Sequence, residues 1–200
     1  MWQKLSADGV QFFRTEADLS TRVHELERAL SELCHLISIE MGDSNFSGLE
    51  RARALRSRPA SGGKSHYECI NQLIHYWYCC AAAKHLLSEG FTSLVMRPTG
   101  HDNATDLGDT EANGGPYDIE AHHAQFGEIA AEVFCVSQAL WRQKMSKTLA
   151  KLAQSPASVR AVFYNAETKP KYRPKMERLV VYGIDAPSGL VRRIASTMRL

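Results

Sequence analysis

The chain has 200 residues, 44% of them hydrophobic and 23% charged, with 24 basic residues against 22 acidic ones and five cysteines. That is the profile of one ordinary folded domain, able to bury about 70% of its unfolded surface without staples, and it excludes a disulfide mini-protein, a collagen-like chain and a disordered one. No apolar run reaches the roughly 18 residues of a membrane helix, the start Met1-Trp2-Gln3-Lys4 leads into polar residues, and the odd cysteine count argues for reduced thiols, so a cytoplasmic protein with no membrane partner is expected.

The spacing predicts a helix from about Asp18 to Ile39, opened by Thr15 and Asp18 as a cap. Leu19, Val23, Leu26, Leu30, Leu33 and Ile37 follow at intervals of 4, 3, 4, 3 and 4, a single apolar seam close to a heptad. Such a seam either lies on its own domain or pairs two chains, and a homodimer through Leu19–Ile37 is one expectation. Residues 41–64 are rich in Gly, Ser and Arg and read as a linker around a short helix, Leu49–Arg56. Residues 1–64 thus form an N-terminal helical region and linker, and residues 65–200 an α/β core.

In that core a long helix is expected over Ser65–Glu89, with Ser65 and Glu68 as a capping box and Gly90 as its left-handed stop. The period then changes to that of strands. Thr92–Met96, Tyr117–His122 and Gly127–Ser137 read as three strands, the last two forming a hairpin. Gln138–Gln154 reads as a helix with Leu140, Met145, Leu149 and Leu152 inward. Val159–Tyr164 and Leu179–Ile184 are further strands, and Ser188–Met198 a closing helix. The order is that of an α/β sandwich with a mixed sheet.

Charge is unevenly placed. Residues 1–50 hold nine acidic and four basic residues, and residues 141–200 hold thirteen basic and three acidic ones. A basic last third suits a polyanion such as nucleic acid; a solvated basic face is the plainer reading.

Two carboxylates stand out. Glu132 is the only charge near the middle of an otherwise apolar strand, where an unpaired carboxylate costs several kcal/mol. Asp118 stands at the start of the preceding strand, and a hairpin brings the two together across its strands. Converging carboxylates either hold a hard divalent cation such as Mg²⁺ (or Mn²⁺) or pair with buried basic groups. Glu120 shares a strand face with Asp118, and Glu128 with Glu132. His75 and Cys79 form an i, i+4 pair, and Cys80 adjoins them, but zinc would need ligands from elsewhere. A thiol nucleophile at Cys135, beside His122-His123, is disfavoured by its place in an apolar strand.

The element order, with Pro116-Tyr117-Asp118-Ile119 on one strand and Ala131-Glu132-Val133-Phe134 on the next, resembles the PD-(D/E)XK nuclease superfamily over about residues 65–184. The resemblance implies a restriction-endonuclease-like mixed sheet flanked by helices and a metal-dependent endonuclease acting on DNA. It makes Asp118 and Glu132 the metal ligands. The family's lysine, two residues past the glutamate, is replaced here by Phe134. Members with that lysine relocated to the following helix point to Lys144 as its substitute. Members with a further carboxylate on the preceding helix point to Glu68, which is equally the acid of the capping box.

Lys169, Lys171, Arg173 and Lys175, interleaved with Tyr172, are expected to contact phosphates, as are Lys147 and Arg97; His101 and Asn103 share the loop of Arg97. The alternative to an enzyme is a non-catalytic pseudo-nuclease, or a dimeric nucleic-acid- or protein-binding module on the same scaffold, which Phe134 favours.

Overall fold

The computed structural model describes residues 11–41, 59–61, 64–97, 117–168 and 171–198, without some side chains, among them those at 59–69. The short helix expected at Leu49–Arg56, together with His101, Asn103 and Lys169, lies outside the described residues.

The elements are β1 (Gln11–Phe13), α1 (Glu16–Met41), β2 (Pro59–Ser61), β3 (Lys64–Ser65), α2 (His66–Ser88), β4 (Thr92–Met96), β5 (Ile119–His123), β6 (Gly127–Phe134), α3 (Gln138–Ala153), β7 (Val159–Asn165), β8 (Leu179–Ile184) and β9 (Val191–Ser196). Seven strands make one sheet in the order β1-β4-β5-β6-β7-β8-β9, and β2 and β3 form a separate small hairpin. The pairs from β1 to β6 are antiparallel, β6, β7 and β8 are parallel, and β9 closes the sheet antiparallel. A parallel pair needs a crossover, and α3 is the one between β6 and β7. This is a mixed α/β fold.

The termini of the long helices follow local chemistry. Thr15 and Asp18 cap α1 reciprocally: each backbone N–H donates to the other's side chain at 3.2 Å. At the end of α2, Gly90 takes φ +88°, and the N–H groups of Gly90 and Phe91 donate to the carbonyls of Leu87 and Leu86. That is the Schellman pattern, which glycine adopts without strain.

Helices α1 and α2 cover one face of the sheet and α3 the other. Leu73, Tyr76, Ala83 and Leu86 meet Ile119, Ile129, Ala131 and Phe163 under α2. Trp141, Met145 and Leu152 meet Phe134, Val162, Tyr164 and Val181 under α3. Strands β7 and β8 are buried on both faces, which explains their continuous apolar runs.

One of the two readings of the α1 stripe is realised for Leu19 and Leu26, and two expectations change. The stripe of α1 is directed into its own chain: Leu19 and Leu26 are fully buried in the core under α2, and β1 joins the sheet edge beside β4. Residues 11–41 therefore share the sheet and core of the later residues. The side chains of Leu33 and Ile37 lie outside the described part. The segment expected as a closing helix is strand β9, because the wholly buried β8 needs a ladder partner on its outer edge. Finally, α3 buries Trp141, Met145, Thr148 and Leu152, at intervals of 4, 3 and 4, while Leu140 remains 54% exposed.

Candidate active site

The site forms where β5 starts beside the later half of β6. Ile119 pairs with Ala131, and Asp118, just before β5, comes beside the same stretch of β6, where its carboxylate meets the Val133 backbone and its charge acts on Glu132. Side chains alternate along β6, so Glu132 shares the α3 face with Ala130 and Phe134. Glu132 is buried, and its side chain is 8% exposed.

Each carboxylate meets a group of opposite character. Asp118 Oδ2 accepts a hydrogen bond from the Val133 N–H at 2.7 Å, and Oδ1 lies 3.6 Å from Nε2 of His75 on α2. Glu132 Oε1 forms an ion pair with Lys151 Nζ of α3 at 2.7 Å. The same ammonium lies 5.6 Å from the centre of the Tyr117 ring.

The electrostatics separate the two acids. Burial works to raise the Asp118 carboxyl, but His75, the Val133 N–H and Lys151 outweigh it and hold it below its ordinary value. Burial and the charge of Asp118 push Glu132 up to about 7, against the pull of Lys151 and Lys144. Burial lowers His75, yet Asp118 overrides it and raises the imidazole above its ordinary value. The site thus holds two close carboxylates that resist being charged together. Among the described residues no group of three or more His, Cys, Asp or Glu side chains surrounds one metal position. A hard cation there would take both carboxylates and complete its shell with water, the usual habit of Mg²⁺.

The other expected residues are dispersed. Lys144 is half-buried on α3, and its charge acts on Glu132 and His75, but Lys151, seven residues on, makes the contact. Lys144 and Lys151 flank the buried stripe of α3, three residues beyond Trp141 and Thr148. That seven-residue spacing was the signal in the sequence for Lys151. Glu68 belongs to the first turn of α2, its side chain outside the described part.

Arg97 is engaged locally. Its Nη1 donates to Glu120 Oε2 at 2.6 Å and to the Tyr117 carbonyl, and its N–H donates to the Asp118 carbonyl. It braces the strand start that carries Asp118. Lys147 and Lys175 are exposed, and Lys171 and Arg173 line a cavity beside β9. Glu128 is exposed at the start of β6.

The cysteines behave otherwise than the strand reading implied for one of them. Cys135 lies just past β6 and is exposed, not deep in the strand. Burial of its sulfur outweighs the Tyr78 hydrogen bond and raises the thiol, which disfavours a thiolate nucleophile. Cys79 Sγ is 3.5 Å from His75 Nε2, and burial, then Asp118, raises it well above its ordinary value, so it stays a neutral thiol.

Among the described residues no helix is long and apolar enough to cross a membrane. The chain matches no protein-family model, no curated protein and no solved structure.

Proposed function

We propose that this protein is a metal-dependent endonuclease of the PD-(D/E)XK type that hydrolyses DNA phosphodiester bonds. The observation that carries the reading is the meeting of Asp118, Glu132 and the Lys151 ammonium at the junction of β5, β6 and α3. The element order supports it: a helix, three antiparallel strands, a helix, then a strand parallel to the third.

Asp118 and Glu132 would hold Mg²⁺ or Mn²⁺. The donor set fits, since two hard oxygen ligands with a strained like charge gain from a divalent cation between them. Such a cation, when bound, activates water and neutralises charge on the phosphate. Lys151, held at the site by its ion pair with Glu132, would orient the attacking water and meet the charge that develops on the phosphate oxygens. His75 holds the Oδ1 side of Asp118, and the Val133 N–H fixes Oδ2, so the aspartate presents one geometry. Lys144 adds positive potential from the same helix flank. The basic residues of the last third grip the backbone of the DNA.

The test is Mg²⁺-dependent cleavage of mixed-sequence duplex and single-stranded DNA. Wild type should cut, and Asp118→Asn and Glu132→Ala should each lose at least a hundredfold. Cutting that survives Glu132→Ala sinks the proposal. A second reading has its own support. Phe134 is buried and stacked on Tyr164 at 5.7 Å, and both carboxylates already have partners. These features suit a pseudo-nuclease that binds nucleic acid without cutting it; no cleavage and no Mg²⁺ binding by calorimetry would select that reading.

A further inference from the structure

A cavity of about 700 Å³ opens between residues 171–174 and β9, with Lys171, Tyr172 and Arg173 on one wall and residues 194–196 on the other. It shares the α3 face with Glu132. The register runs from Glu132 through Val162 and Val181 to Ala195, which lines the cavity. Three strand spacings separate the two, about 14 Å.

The wall has two chemical characters. Tyr172 is half-buried, and its ring is held edge-on by Trp141 at 5.3 Å; Trp141 is braced in turn by Tyr164 at 5.6 Å. The tyrosine is therefore a fixed π-surface and not a mobile loop side chain. Lys171 and Arg173 flank it in the wall and are exposed cations, and Lys175, Arg192 and Arg193 are further exposed cations of the same loop and of β9. None of them takes part in the ion pairs found among the described residues.

Unengaged cations beside a braced aromatic ring in a concave wall suit a polyanion with planar faces. Duplex DNA offers its phosphates but keeps its base faces inside the stack. Only a base outside a duplex can lie on Tyr172. We propose that this cavity is a subsite for unpaired nucleotides, with phosphates on Lys171 and Arg173 and a base stacked on Tyr172. The subsite stands on binding alone; joined to the hydrolytic reading, it makes the substrate a nucleic acid with an unpaired segment.

The test is fluorescence anisotropy in EDTA with labelled twelve-residue oligo-thymidine, oligo-uridine and a duplex of equal length. Both single strands should bind at least tenfold more tightly than the duplex. Tyr172→Ala should weaken the single strands about tenfold and leave the duplex unchanged, while Tyr172→Phe keeps wild-type affinity. Tyr172→Leu, which preserves the packing on Trp141, should behave as Tyr172→Ala and guards against a folding defect. Lys171→Glu with Arg173→Glu should weaken every strand. A preference between the thymidine and uridine strands, which differ in the 2′-hydroxyl and in the 5-methyl group, supports the subsite either way. Equal affinity for duplex and single strand, indifference to Tyr172→Leu, or equal competition by polyglutamate overturns it. Because metal is absent, failure here leaves the cleavage assay standing, and the reverse holds too.

Discussion

At residue scale, Lys151 places a cation beside Glu132 where the strand itself offers Phe134. Removing one partner of a buried pair strands the other, so Lys151→Met should cost about 3 kcal/mol in urea denaturation at pH 8. Cleavage should fall at least a hundredfold, the scale of a lost water-orienting group. Lys144→Met should change stability by under about 1 kcal/mol, because Lys144 acts on Glu132 only through its field. Equal effects of the two substitutions would refute the assignment to Lys151. His85 gives a separate pH signature. Its Nε2 is buried without a partner and its ring packs on Phe163 and Tyr182, so burial lowers its pKa below 6.5. The unfolded chain takes up this proton first as pH falls. Its contribution is therefore complete above pH 6.5 and lost on the way down to the depressed value. His75, raised by Asp118, works in the opposite sense. The melting temperature of His85→Leu should accordingly fall less than that of wild type between pH 7.5 and 5. A wild-type slope in that variant would show that His85 is solvated.

At element scale, the apolar stripe of α1 is the instructive case. Its heptad-like spacing was plain in the sequence, but spacing does not say which surface receives it. Leu26 is fully buried within its own chain. Leu26→Ala should cost about 2–5 kcal/mol, with a melting temperature that does not depend on protein concentration. A concentration-dependent transition would instead make the stripe an interface. In α3, the buried stripe keeps the expected Met145 and Leu152 but takes Trp141 and Thr148 in place of Leu140 and Leu149, and Lys144 and Lys151 each follow one of these two by three residues. For β9, Val191 and Ile194 three apart imitate a helical face. Only the unpaired edge of β8 decides that the segment extends as a strand.

At the scale of the whole molecule, the basic last third lies on loop 171–178, on β9 and along α3. Nucleic-acid affinity should weaken with salt, and each lost phosphate contact should flatten the slope of log K against log salt by about 1. Arg173→Gln and Lys171→Gln together should therefore remove about 2 from that slope; an unchanged slope would place the phosphates elsewhere. The sequence by itself determined the mixed α/β class, the five central strands and both ends of three helices to within a few residues. It also placed Asp118 and Glu132 at facing ends of a hairpin, where the two-residue period of paired strands lets such side chains meet. Only the tertiary structure decided which cations meet those carboxylates. His75 reaches Asp118 through the docking of α2, and Lys151 reaches Glu132 through the packing of α3 on the sheet. Both depend on how separate elements pack, a long-range outcome that local periodicity does not encode.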